Sequence, residues 1–210
     1  MPSTIVHLAL AGLIAAALLG EHFDRRALAV VFVVIAIPDL DSFLVFTDAA
    51  HRTALHNVWL PVVAATLLWV DLRVREESVV RGRWGAWGVR VAWVTILCSL
   101  FAHVALDLTD GFVNLLWPVY DQFYMLDGSI ELSDQRGIVN TFSEGGIPLL
   151  EAQGTTEEYE ITTGVDPGEG KTERVFPVVR AGWQLVVLVV GTLVTAARLH
   201  MAGSADSQRP

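Results

Sequence analysis

The sequence predicts an all-α integral membrane protein: about five transmembrane helices and a polar, acidic extracytoplasmic loop that contains a short β-hairpin. Three observations carry this expectation. Of 210 residues, 53% are hydrophobic and only 18% are charged, against roughly a quarter charged in ordinary soluble domains. Five apolar stretches approach the roughly 20 residues that a membrane-spanning helix needs. Arginines gather in short connecting segments, whereas the acids gather in one long segment, the asymmetry expected of loops on opposite sides of a bilayer. The net charge of -9 argues against a nucleic-acid partner, which requires basic surface to release counterions. Cys98 is the only cysteine, which excludes a disulfide scaffold.

The first stretch runs from about Ser3 to Gly20. It lacks the basic leader of a signal peptide, and its positive charges, Arg25 and Arg26, follow the apolar run. A retained helix with its N-terminus outside is therefore expected. The second stretch runs from Ala27 to about Phe46, interrupted by Pro38, Asp39 and Asp41. The third runs from about Ala54 to Val70. The connection to the fourth carries Arg73, Arg75, Arg81, Arg83 and Arg90, which assigns it to the cytoplasm under the positive-inside rule. The fourth runs from Val89 to about Leu108, and the fifth from Val178 to Ala197. Thr109–Pro177 is acidic and can lie outside, leaving the C-terminus cytoplasmic. Within it, Glu158-Tyr-Glu-Ile-Thr-Thr163 alternates as a hairpin strand does. The expected organisation is a helical membrane domain over 1–118, an acidic extracytoplasmic cap over 119–177, a final helix over 178–198 and a disordered tail over 199–210.

Ionisable groups inside membrane segments are costly and mark functional sites. With the orientation above, His7 opens the first helix on the outer side. Asp39 and Asp41 close the second, His51 and His56 open the third, and His103 and Asp107 close the fourth, all on that side. Seven potential metal ligands thus converge on one leaflet. Taken singly, each has a plainer reading: a satisfied polar helix end for His7, a helix stop for Pro38-Asp39-Leu40-Asp41, interfacial residues for His51 and His56, and a His–Asp hydrogen bond for His103 and Asp107. The i,i+4 spacing of His103 and Asp107 sets both on one helix face. Imidazoles with carboxylates and no thiolate suit Zn²⁺, with Mn²⁺ or Fe²⁺ also compatible. Seven ligands exceed the needs of one ion and match a pair of ions about 3.5–4 Å apart.

Other features carry less. Gly168-Glu-Gly-Lys-Thr172 resembles the end of a phosphate-binding loop, but Val165 stands where the first glycine is required and no buried strand precedes it. His22 and His200 fall on the inner side as solvated residues, and Cys98 reads as a small apolar packing residue.

These motifs resemble the YdjM-like membrane-bound metal-dependent hydrolases, also described as LexA-binding, inner-membrane-associated hydrolases. The family pattern is a His in the first helix, Pro-Asp-x-Asp, His-Arg-Gly-x-Thr-His-Ser, and His-x-x-x-Asp followed by Trp-Pro. Here these read His7, Pro38-Asp39-Leu40-Asp41, His51-Arg-Thr-Ala-Leu-His56-Asn57, His103-Val-Ala-Leu-Asp107 and Leu115-Leu-Trp-Pro118. The resemblance covers about Met1 to Pro118, with Thr53, Leu55 and Asn57 departing from it. That family is distantly similar to zinc-dependent phospholipase C and the P1-type nucleases, and so the resemblance implies hydrolysis of a phosphoester by an activated water; a site at headgroup depth, by location alone, would suit a lipid one. On that reading His7, Asp39, Asp41, His51, His56, His103 and Asp107 hold one or more divalent ions. Asp39, Asp41 and Asp107 are also the candidates for catalytic base or orienting group. Arg52 is the candidate for a substrate phosphate, because its planar fork matches such oxygens; snorkelling toward lipid headgroups is its plainer role. The expected partners are membrane lipids and a phosphoester substrate. The alternatives are a non-catalytic metal site, structural or for transport, and a scaffold whose acidic loop binds a partner while the His and Asp residues only pair.

Overall fold

The computed structural model describes residues 2–43, 51–142, 149–159, 170 and 172–206. They are mostly helical, with a few short strands, and the chain divides into two compact units. One contains 2–38, 58–103 and 177–210; the other contains 39–57 and 104–176.

The first unit is a set of packed helices. α1 spans Thr4–Leu18 and α2 spans Arg25–Ala36. Asp24 caps α2, its Oδ1 accepting from Ala27 N at 2.7 Å, and so satisfies an N–H that the helix itself leaves without a partner. α3 covers Trp59–Arg73 and α4 covers Val79–Cys98. Asp71 joins them: its carboxylate accepts from Ser78 Oγ at 2.6 Å, Val79 N at 2.9 Å and Val80 N at 3.1 Å. α4 is interrupted at Gly85 (φ 64, ψ -154), a conformation open essentially to glycine alone. A π-turn, Ser99–Val104, follows α4, and α5 (Ala105–Thr109) continues the chain. The last helix, α6, spans Gly182–Asp206.

The core of this unit is formed by Ala11, Ala15, Leu19, Phe23, Ala27, Val31, Ile35, Val91, Val94 and Cys98. Cys98 behaves as a packing residue, its thiol donating to Ala11 O at 3.7 Å. Arginines close the helix ends. Arg90 Nε donates to Leu18 O at 2.7 Å, and Arg198 donates to Gly20 O at 3.2 Å while lying over the Phe23 ring. Leu18 O belongs to the last residue of α1, where helical partners run out, and Gly20 O to the 3-10 turn that follows. α1 and α6 approach through small residues: a Cβ on Gly12 would strike Thr195 Oγ1, and one on Gly191 would strike Ala9 O. Close backbone approach of this kind is how helices associate where lipid supplies no hydrophobic drive. Gly12→Leu is therefore expected to destabilise the protein by about 1–3 kcal/mol through overpacking, read as a lowered Tm in detergent.

The second unit is irregular and carries the strands. β1 (Phe123–Met125) pairs antiparallel with β4 (Glu151–Gly154), and β2 (Ile130–Ser133) with β3 (Gly137–Asn140). The β2–β3 connection is three residues followed by Gly137 at φ 72, a frequent hairpin geometry. Phe112, Phe123 and Tyr159 pack their rings together, with centroids 4.7–5.9 Å apart. Asn114 donates to Asp121 Oδ1, and Asp121 in turn accepts from Thr156 Oγ1 at 2.6 Å, which ties 149–159 to the segment after α5.

Several expectations need correction. Among the described residues two helices are long and apolar enough to cross a membrane, Val79–Thr109 and Gly182–Ser204, where five spans were expected. α1, α2 and α3 have 15, 12 and 15 residues, and at 1.5 Å per residue they fall short of a bilayer core about 30 Å thick. The second stretch ends early because Pro38 has no N–H to extend α2; Pro38–Phe43 forms a 3-10 turn instead. The third starts at Trp59 rather than Ala54, because Asn57 Nδ2 donates to Thr53 O and Ala54 O and holds the preceding residues in a turn. The hairpin lies at Ile130–Asn140, whereas Glu158 and Tyr159 form no strand and 160–163 fall outside the described residues. The last helix runs past Ala197 to Asp206. Most of Gly168–Thr172 also lies outside the described residues.

Candidate metal centre

The second unit brings Asp39, Asp41, His51, Arg52, His56 and Asp107 together. The 3-10 turn after α2 supplies the two aspartates, the turn before α3 supplies His51, Arg52 and His56, and α5 supplies Asp107. A 3-10 turn repeats every three residues, so it presents Asp39 and Asp41 on different sides. Their roles differ accordingly.

Asp41 is fully buried and clamps both imidazoles of its unit. His51 Nδ1 lies 2.6 Å from Oδ1, and His56 Nδ1 lies 2.7 Å from Oδ2. An ionised carboxylate only accepts, so both rings carry a proton on Nδ1 and direct Nε2 away from Asp41. Ser42 Oγ is a second neighbour of His51 Nδ1 at 3.1 Å, and Leu55 N donates to Asp41 Oδ2 at 3.4 Å. A carboxylate behind an imidazole is the usual device for orienting a metal-binding histidine.

His56 Nε2 faces the other two acids. It lies 3.4 Å from Asp39 Oδ1 and 3.5 Å from Asp107 Oδ2. Four-coordinate zinc with bonds of about 2.1 Å has ligand–ligand edges of about 3.4 Å. Each of the two spacings therefore matches one such edge, as expected of donors to a shared divalent ion. Asp41, His51 and His56 each offer an atom within 4.8 Å of the others. Charge agrees: once an ion displaces the second proton of His56, three carboxylates against one guanidinium leave two negative charges to compensate in a buried setting. Asp39, 17% exposed, keeps an edge toward solvent, whereas the side chains of His56 and Asp107 are sealed.

Asp41 and His56 lie outside the two membrane-length helices. Burial pushes the Asp41 carboxyl up, but the hydrogen bonds and charges of His51 and His56 outweigh it and hold the pKa below the usual carboxylate value. Burial likewise opposes charge on His56, yet Asp39, Asp41 and the field of Asp107 raise it to about 9.

Arg52 sits in the left-handed region at φ 68 and is buried. Its Nη1 donates to Phe112 O at 2.9 Å and its Nη2 lies 3.5 Å from Asp107 Oδ1, while its own carbonyl accepts from Asn114 N at 3.0 Å. The guanidinium thus holds the Asp107 carboxylate rather than snorkelling. It lies against the Cα of Gly111, where any Cβ would strike Nη1. Gly111→Ala is expected to displace Arg52 from the Phe112 carbonyl at a cost of about 1.5–3 kcal/mol, seen as a lower Tm that Gly82→Ala, with open space around it, does not reproduce.

The remaining two expected ligands come together in the first unit. His7 and His103 stack with ring centroids 4.3 Å apart and planes 23° apart, both fully buried. His7 Nδ1 donates to Ala102 O at 2.8 Å, which leaves its Nε2 as the acceptor. His103 rides on the π-turn, an irregularity frequent at functional sites that the sequence pattern does not reveal. Ser42, Asn57, Phe112 and Gly111, which support the site, were likewise not singled out as site residues from sequence; Asn57 stood out only as a departure from the family motif.

Buried acids and imidazoles spaced for a metal, in a chain with two membrane-length helices, define a membrane protein with a candidate metal centre. The family model of the YdjM inner membrane protein matches residues 1–151. The chain belongs to that family, and the matched span contains all seven expected ligands and Arg52. No curated protein and no solved structure matches the chain, so the implied likeness to phospholipase C and the P1-type nucleases gains no support from them.

Proposed function

We propose that this protein is a membrane-bound, metal-dependent hydrolase that acts on a phosphoester, lipid phosphoesters included, at an extracytoplasmic site. The observation that carries the reading is the pair of short distances from His56 Nε2 to Asp39 Oδ1 and Asp107 Oδ2. His56, Asp39 and Asp107 hold the ion; Asp41 fixes the tautomers of His51 and His56; Arg52 fixes Asp107. His51 directs a second Nε2 outward. A divalent ion bound there, zinc by donor chemistry with manganese or iron as alternatives, supplies a water acidified toward neutral pH and a Lewis acid for a phosphoryl oxygen. Asp39, the most exposed of the three acids, is the candidate base, because a group that takes a proton from water must meet solvent.

The test is metal analysis of the purified full-length protein beside a phosphoesterase screen, repeated with Asp39→Asn. Stoichiometric metal with hydrolysis that Asp39→Asn removes supports the reading. Stoichiometric metal without hydrolysis supports the non-catalytic alternative, and absence of metal defeats both.

The raised pKa of His56 gives a pH dependence. In the metal-free protein this group stabilises the fold fully below about pH 6.5, and the contribution is lost as pH rises through about 9. Metal at Nε2 must displace that proton. The apparent Kd for Mn²⁺ or Zn²⁺ is expected to tighten by about tenfold per pH unit from 7 toward 9 and then level off, as measured by competition with a chelator of known pH response.

A further inference from the structure

The first unit contains a cavity of about 640 Å³ at the connected ends of α3 and α4, lined by Trp69, Leu72, Arg73, Arg81, Val89 and Trp93. We propose that it binds an anionic phospholipid, with the phosphate against Arg73 and Arg81 and an acyl chain along Trp69, Leu72, Val89 and Trp93. The composition matches both halves of such a ligand. Two indole rings supply the amphipathic surface that sits at headgroup level, and two guanidinium groups supply forks for phosphate oxygens.

Three further observations support it. Among the described residues no carboxylate lies within 4 Å of the Arg73 or Arg81 guanidinium, whereas their neighbour Arg75 pairs with Asp71 at 3.6 Å. Asp71 is itself engaged by Ser78, Val79 and Val80, and the other acids of this connection, Glu76 and Glu77, do not line the cavity. The break at Gly85 separates the turn that bears Arg81 from the turns that bear Val89 and Trp93, so the lining is not one continuous helix face. Finally, Trp69 is 54% exposed; an indole left open beside unpaired arginines is accounted for by a lipid that covers it. Basic pockets beside membrane helices on the cytoplasmic side recognise anionic headgroups in this way; α4 opens the membrane-length helix Val79–Thr109, and the arginine-rich connection is the part expected in the cytoplasm.

Native mass spectrometry of the full-length protein in detergent, titrated with phosphatidylglycerol and separately with phosphatidylcholine, tests the proposal. One phosphatidylglycerol is expected to be retained in preference to phosphatidylcholine. The double variant Arg73→Gln/Arg81→Gln is expected to weaken it about 30-fold, from two arginines near an anionic lipid surface. Arg83→Gln, whose guanidinium lies over Trp84 instead, is expected to leave binding unchanged, as is inorganic phosphate at millimolar concentration. Equal retention of the two lipids, an undiminished phosphatidylglycerol adduct in the folded double variant, or displacement by inorganic phosphate would each overturn it. Metal content is unaffected in every arm, because none of these residues belongs to the proposed metal centre.

Discussion

Replacement of His56 by alanine is expected to remove metal from the protein. The ring makes two kinds of contact: Nδ1 reaches Asp41 at 2.7 Å, and Nε2 reaches Asp39 and Asp107 at 3.4 and 3.5 Å. Alanine deletes a donor and leaves Asp39, Asp41 and Asp107 without the cation that moderates their repulsion. Loss of a supporting residue costs about 10–100-fold in metal affinity, and loss of the central ligand is expected to exceed about 100-fold. The metal-free fold suffers too, since removing one partner of a buried charged network costs about 3–5 kcal/mol. His56→Gln separates the effects. It keeps polar contact with the acids but offers no imidazole nitrogen, so it should recover part of the stability and little of the affinity. Equilibrium dialysis with Mn²⁺ and thermal melts on the same samples read both quantities.

Asp41→Asn is the second large effect, and it tests orientation rather than ligation. The amide retains one oxygen where the carboxylate has two, so only one of His51 and His56 keeps its acceptor. The other ring then meets an NH₂ group, which favours the tautomer with the proton on Nε2 and blocks that atom as a ligand. Affinity is expected to fall about 10–100-fold, with about 1–3 kcal/mol lost from stability. Asp41→Glu cannot reach both rings and should not rescue it. Histidine ¹⁵N chemical shifts, which report tautomers, should move at His51 or His56 in Asp41→Asn. An unchanged tautomer pattern with undiminished metal affinity would refute the orienting role.

The candidate residues stand out in the sequence; the geometry that the structure gives them does not. Ionisable residues in apolar stretches stand out because lipid penalises them, which is enough to nominate His7, Asp39, Asp41, His51, His56, His103 and Asp107. Whether an acid ligates or orients depends on a few ångströms of turn geometry. The 3-10 turn at Pro38–Phe43 and the left-handed Arg52 set that geometry, and neither has a periodic signal. Arg52 was nominated for substrate, but it is buried against Asp107 and the Phe112 carbonyl. An interfacial arginine and a buried one read alike until their neighbours are known. The helices were legible as apolar runs but not in length. Pro38 and the Asn57 turn shorten two of them, and the Ser78 cap with Asp71 extends α4 by ten residues ahead of its expected start at Val89. The hairpin strands β2 and β3 are short and largely exposed, so alternation in the sequence is a weak guide to where pairing occurs.

X-ray absorption at the metal edge of the zinc- or manganese-loaded full-length protein tests the metal centre most directly. A ligand shell of nitrogen and oxygen only, at about 2.0–2.2 Å for zinc, with the outer scattering of imidazole that weakens in His56→Ala, is the predicted result. A sulfur shell from Cys98, an imidazole-free shell, or failure to retain stoichiometric metal would contradict it.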